Sequence, residues 1–112
     1  MSIGDTLDQE RRDTLARIDA LTTDFDAIVA GSAETTGDDE HDPEGSTIAY
    51  ERAQIAALLG AARAYLDDLD QAVARLADGR YSVCEECGGP IAAQRLAARP
   101  AARTCIDCAS VH

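Results

Sequence analysis

Apolar residues recur at helical spacing over two long stretches of this chain. The first runs from residue 5 to about residue 30. Leu15, Ile18, Thr22, Phe25 and Val29 alternate by three and four, and Leu21 and Ile28 widen the stripe, the pattern of an amphipathic helix. Thr6 and Gln9 have capping-box spacing at its start, and Gly31 offers a stop. The second stretch, 47–78, is the more regular. Ile48, Ile55, Leu59, Ala62, Leu66, Leu69, Val73 and Leu76 hold a heptad register, with Arg52 at its one polar position. A spacing sustained this long predicts a coiled-coil helix, roughly 45–50 Å in length, ended by Asp78-Gly79.

Between the helices, residues 31–46 have loop composition, with six carboxylates and no basic residue. Asp42-Pro43 suits an N-cap followed by proline at the first helical position, so the second helix starts either there or after Gly45-Ser46. No third long helix is available to cover the two apolar seams. The simplest arrangement is an antiparallel helical hairpin with the acidic loop at one end; the alternative is pairing of the seams between chains.

Periodicity gives way to cysteine after residue 79. Cys84, Cys87, Cys105 and Cys108 are the chain's 4 cysteines, set as two C-x2-C pairs with 17 residues between them. This is the spacing of a tetrathiolate zinc site, because a two-residue gap lets one tight turn present two sulfurs to one ion. Gly88 and Gly89 follow the first pair, where such a turn needs freedom in φ. Two disulfides or four unrelated thiols are the competing readings. A site closed by four thiolates leaves no position for substrate or water, so one structural zinc is expected and catalytic chemistry is not. The fold expected is all-α: a two-helix coiled-coil hairpin over 1–79, its acidic tip at about 31–46, then a small zinc finger over 80–112.

Charge narrows the partners. The 112-residue chain carries a formal net charge of −11, and its basic residues are all arginine. Residues 1–79 hold 18 acids against 6 arginines, whereas 80–112 hold 3 against 4. Such acidity disfavours binding to nucleic acid or to an anionic membrane, both of which need basic contacts. The N-terminus lacks the basic and apolar regions of a signal peptide. Cysteines grouped as metal ligands fit a reducing cytoplasm.

The stretch Tyr81-x-x-Cys84-x-x-Cys87-Gly88-x-x-Ile91, then Arg95-Leu96-x-Ala98-Arg99-Pro100, then Cys105-x-x-Cys108, resembles the DksA/TraR family of bacterial zinc-finger transcription regulators. The preceding hairpin is similar to that family's layout as well. The resemblance implies a non-catalytic regulator that binds RNA polymerase and inserts its coiled-coil tip into the secondary channel; the intramolecular hairpin makes a monomer the expected state. Asp38, Asp39, Glu40, Asp42 and Glu44 are then the tip carboxylates that reach toward the active-site metal; on composition alone they are a solvated acidic run. His41, among them, reads as a surface histidine. The family's Asp-x-x-Asp-x-Ala tip aligns with Asp42 to Thr47, where Gly45 replaces the second aspartate and Thr47 the alanine. Arg99 matches one basic residue of the family's guanosine tetraphosphate site. Ala109 and Asp67-Asp68 stand where further cations are expected, which implies a weak alarmone response. The alternative function is a zinc-stapled adaptor with a diverged tip and another protein partner.

Overall fold

The computed structural model describes residues 2–35 and 43–111. Among these residues four helices follow in order: α1 (Ile3–Thr35), α2 (Pro43–Ala77), α3 (Ala93–Ala98) and α4 (Ile106–Val111). There are no strands among the described residues beyond one isolated antiparallel bridge, Val83 to Pro90. The long helices form a hairpin, and each is roughly 50 Å in length.

The start of α1 is fixed by Ser2 rather than by the Thr6–Gln9 pair. The Asp5 N–H donates to Ser2 Oγ at 3.1 Å, and the Ser2 N–H donates back to Asp5 Oδ2 at 3.4 Å. This reciprocal pair satisfies two otherwise orphaned donors of the first turn. Thr6 instead bonds the Ser2 carbonyl through its hydroxyl, and Gln9 donates to Asp13 one turn on. Gly31 does not end the helix, which runs on to Thr35. An interior glycine costs α-helix only about 1 kcal/mol, an amount tertiary contacts override. At the other side α2 begins at Pro43, the earlier of the two expected starts. Residues 31–35 and 43–46 of the expected loop are therefore helical. Gly79, at φ +75°, ends α2 in the left-handed conformation that glycine adopts without strain.

The chain divides into two compact units, Met1–Asp13 with Tyr65–His112, and Thr14–Ala64. In the first, the helices run antiparallel. Leu7 packs with Leu69 and Ala72, the Tyr65 hydroxyl donates to Glu10 at 2.9 Å, and Arg11 pairs with Asp70 at 2.8 Å. Leu7, Leu69, Ala72 and Tyr81 form the buried core, with Tyr65, Leu76, Leu96 and Ala101 packed on it. In the second unit Thr14, Leu59 and Ala62 are buried, and Ile18, Leu21, Phe25, Ile28, Ile48 and Ile55 are half-buried between the two helices.

The seam departs from the expected register in two places. Thr14 is buried where Leu15 was expected, and Leu15 and Val29 are each 40% exposed. On α2, Val73 is 44% exposed while its neighbour Ala72 is fully buried. At α2 the finger is the reason: Tyr81 shares one cluster with Leu69 and Ala72, so α2 is covered on an adjacent face. No helix among the described residues is long and apolar enough to cross a membrane.

Candidate metal centre

The metal centre is built from a tight turn and the start of a short helix. Leaving α2, the chain folds back at Tyr81–Ile91. The Cys84 N–H donates to the Gly89 carbonyl at 2.8 Å, the Gly88 N–H to the Cys84 carbonyl at 3.0 Å, and the Ile91 N–H to the Ser82 carbonyl at 2.8 Å. Gly88 sits at φ +74°, a conformation costly for any residue with a Cβ. The Gly89 N–H donates to Cys87 Sγ at 3.4 Å. The second pair arises differently. Cys105 immediately precedes α4, and its carbonyl accepts the N–H of Ala109 at 3.0 Å. Cys108 follows within the first turn of that helix.

These two segments bring all four sulfurs within 4.8 Å of one another. A tetrahedral zinc with Zn–S bonds of about 2.3 Å sets sulfur–sulfur edges of about 3.8 Å. Cys87 and Cys105, from opposite pairs, stand at 3.8 Å. All four are free thiols, and that separation is far beyond the roughly 2.05 Å of a disulfide bond. The donor set is soft, closed and sized for one zinc ion. Backbone N–H groups of Cys87 and Cys105 draw the Cys84 thiol down to about 6, making it the readiest thiolate. Hydrogen bonding to Cys105 pushes Cys108 up. Binding zinc therefore displaces protons from the cluster.

The segment between the pairs is pinned by side chains that the periodicity does not mark. The buried Tyr81 hydroxyl donates to the Pro100 carbonyl at 2.7 Å, and Arg95 Nε to the Thr104 carbonyl at 2.8 Å. The Glu85 N–H donates to the Arg103 carbonyl at 2.9 Å. Arg103 reaches back to α2, donating to Gln71 at 2.9 Å and pairing with Asp68 at 3.5 Å. Arg75, on α2, is buried and donates to the Ala102 carbonyl at 3.3 Å. The short helix α3 and the burial of Arg75 have no counterpart in the sequence pattern. The motif residues Tyr81, Arg95 and Pro100 turn out to hold the chain between the cysteine pairs in place.

Of the other predicted site residues, Arg99 is exposed at the end of α3 and lines a cleft of about 390 Å³ with Tyr65, Asp68, Arg95 and Ala102. Asp68 brings a carboxylate to that cleft, as Asp67-Asp68 implied. Asp38, Asp39, Glu40, His41 and Asp42 lie outside the described residues, and Glu44 is placed only as part of the first turn of α2.

Comparison with known proteins agrees with this geometry. Residues 79–112 match the prokaryotic DksA/TraR C4-type zinc finger. Over 50 residues the chain is 42% identical to the RNA polymerase-binding transcription factor DksA of two Caulobacter vibrioides strains, NA1000/CB15N and ATCC 19089/CB 15. That stretch covers 45% of this chain and 35% of those relatives. The structure of transcription factor DksA2 from Pseudomonas aeruginosa superposes with a TM-score of 0.80 at 29% identity, covering 97% of this chain and 78% of that one. Residues 79–112 are thus a DksA/TraR-type C4 zinc finger following a helical hairpin, and the chain is similar along nearly its whole length to a solved DksA-type structure.

Proposed function

We propose that this protein is a non-catalytic transcription regulator that binds RNA polymerase and acts by inserting the hairpin end between α1 and α2 into the secondary channel. The observation that carries this reading is the combination of hairpin and C4 finger. It is similar over 97% of the chain to one DksA-type structure, and in part to relatives named for polymerase binding. The chain spans about a third of those relatives' length in the matched stretch, so the partner is inferred for this chain rather than transferred whole. Asp38, Asp39, Glu40, Asp42 and Glu44 would carry the effect, acting electrostatically near the polymerase's catalytic metal. The protein acts as a monomer, its two seams satisfied by each other.

The zinc is structural in this proposal. Its four thiolates fill the coordination sphere, and its task is to hold residues 80–112 against the hairpin's base. The cleft beside Arg99 argues for a weak alarmone response. Asp68 occupies it, Arg95 is committed to the Thr104 carbonyl, and Arg103 to Asp68 and Gln71. A polyphosphate would meet one uncommitted guanidinium beside a carboxylate.

In-vitro transcription with polymerase from the source organism tests the central reading, comparing the wild type with Asp42→Ala. A promoter-dependent change in initiation that is lost in the variant, at unchanged helicity, is the expected result. A wild-type protein without effect at any promoter and without affinity for polymerase would contradict it.

A further inference from the structure

Arg75 is the unusual residue of this fold. It is only 4% exposed, yet it carries a permanent charge. Its surroundings serve that charge poorly. Nη2 donates to the Ala102 carbonyl at 3.3 Å, and Nη1 stands 3.7 Å from Glu85, whose own side chain is 46% exposed. Nε and Nη1 have no hydrogen-bond partner among the described residues. A buried cation held by one long hydrogen bond and one loose ion pair is a net burden on folding, and an apolar side chain of similar size would be expected to serve the core better. Packing of the hairpin base alone therefore does not account for it.

What Arg75 touches suggests its role. Glu85 directly follows Cys84, and Ala102 lies three residues ahead of Cys105. The two contacts thus reach both halves of the metal site, which are far apart in sequence and are also joined by the Glu85 N–H to Arg103 carbonyl bond and by the cysteines themselves. The loaded site also supplies what the guanidinium lacks: four thiolates around one divalent ion carry a net charge of −2. Arg75 stands within the last turn of α2 and accepts the Arg80 N–H at its carbonyl at 2.8 Å, so its backbone closes the helix end as well.

We infer that Arg75 is a positioning residue for the zinc site: it sets the Cys84–Cys87 turn and the approach to Cys105 at the separation the metal needs, and through it the order of the last turns of α2 depends on zinc. This rests on the zinc reading above and goes beyond it. The metal then stabilises the polymerase-facing hairpin from its base as well as the finger itself. Because the coupling is thermodynamic it runs both ways, and loosening Arg75 loosens the metal.

The test uses the full-length zinc-loaded protein as wild type, Arg75→Met, Arg75→Lys and, as a surface control, Arg80→Gln. Metal content is measured first: a wild type that does not hold one zinc per chain would sink the zinc reading and this inference together. Zinc release to a chromophoric chelator is then timed. Arg75→Met is expected to release zinc about tenfold faster or more, in the range seen when a residue supporting a metal ligand is lost. Arg75→Lys, which keeps the charge but not the fork, recovers part of the rate, and Arg80→Gln matches wild type. Once zinc is removed, Arg75→Met and wild type should melt at the same temperature, because the guanidinium is then free to reach water. Equal release rates would overturn the inference, and so would a deficit of the same size with and without zinc, which is the mark of a merely structural residue. Hydrogen exchange on the wild type needs no variant. Zinc removal should strip protection from amides 72–77 of α2, and unchanged protection there would refute the coupling.

Discussion

Tyr81 joins the finger to the hairpin, and its two contributions can be separated by substitution. The ring is buried against Leu7, Leu69 and Ala72, and the hydroxyl donates at 2.7 Å to the carbonyl of Pro100, itself buried. Tyr81→Phe keeps the ring and leaves that carbonyl unpaired, a loss of about 1–2 kcal/mol. Tyr81→Ala also removes the ring from the core, for a total of about 3–5 kcal/mol. At about 4 °C per kcal/mol for a domain of this size, the zinc-loaded variants should melt about 4–8 °C and 12–20 °C below wild type. The assay is thermal melting of zinc-loaded protein followed by circular dichroism at the helix band, with zinc content checked for each sample. A Tyr81→Phe melt that superposes on wild type would mean the Pro100 contact holds nothing. Equal losses for Phe and Ala would mean the ring does not fill the core described. Either result would refute the reasoning.

Three further outcomes follow from the same packing. Val73→Ala should change stability by less than about 0.5 kcal/mol, whereas Ala72→Leu should cost about 1–3 kcal/mol by overpacking beneath Tyr81, a pair readily compared by urea unfolding. Cys87→Ser should lose zinc and expose residues 80–111 to protease, because metal-binding energy there is folding energy; a variant that kept its metal and its melting temperature would contradict the structural role. Burial and the hydrogen bond to Glu10 push the Tyr65 phenol from 10.0 up to about 12. The unfolded chain ionises first, so this contribution is intact below pH 10 and disappears as the pH rises from 10 through about 12; absorbance titration at 295 nm should find Tyr65 ionising late, and Tyr65→Phe should flatten part of the alkaline loss.

The four-cysteine cluster and the hairpin were legible in sequence because each rests on short-range rules. Two C-x2-C pairs with glycine after the first specify a turn and a donor set, and apolar residues at three–four spacing specify helices. The seam was read one residue off at Leu15 and Val73. The period sets which residues share a face, but the buried centre of that face depends on what covers it, and Tyr81 covers α2 from beyond the helix. The Ser2–Asp5 cap lay one turn ahead of the Thr6–Gln9 pair because both fit the same motif, and only helix packing decides where the first turn begins. Arg75 lies beside Leu76, off the apolar seam. Its burial comes from residues 85 and 102 folding over it, contacts that no local pattern encodes.

The central claim is that the hairpin end enters the polymerase, and site-specific crosslinking addresses it most directly. A photoreactive benzoylphenylalanine placed at Glu40 and irradiated in complex with polymerase is predicted to form an adduct lining the secondary channel near the catalytic centre, lost on competition with unlabelled protein. Adducts confined to the polymerase's outer surface, or none at saturating protein, would contradict the account.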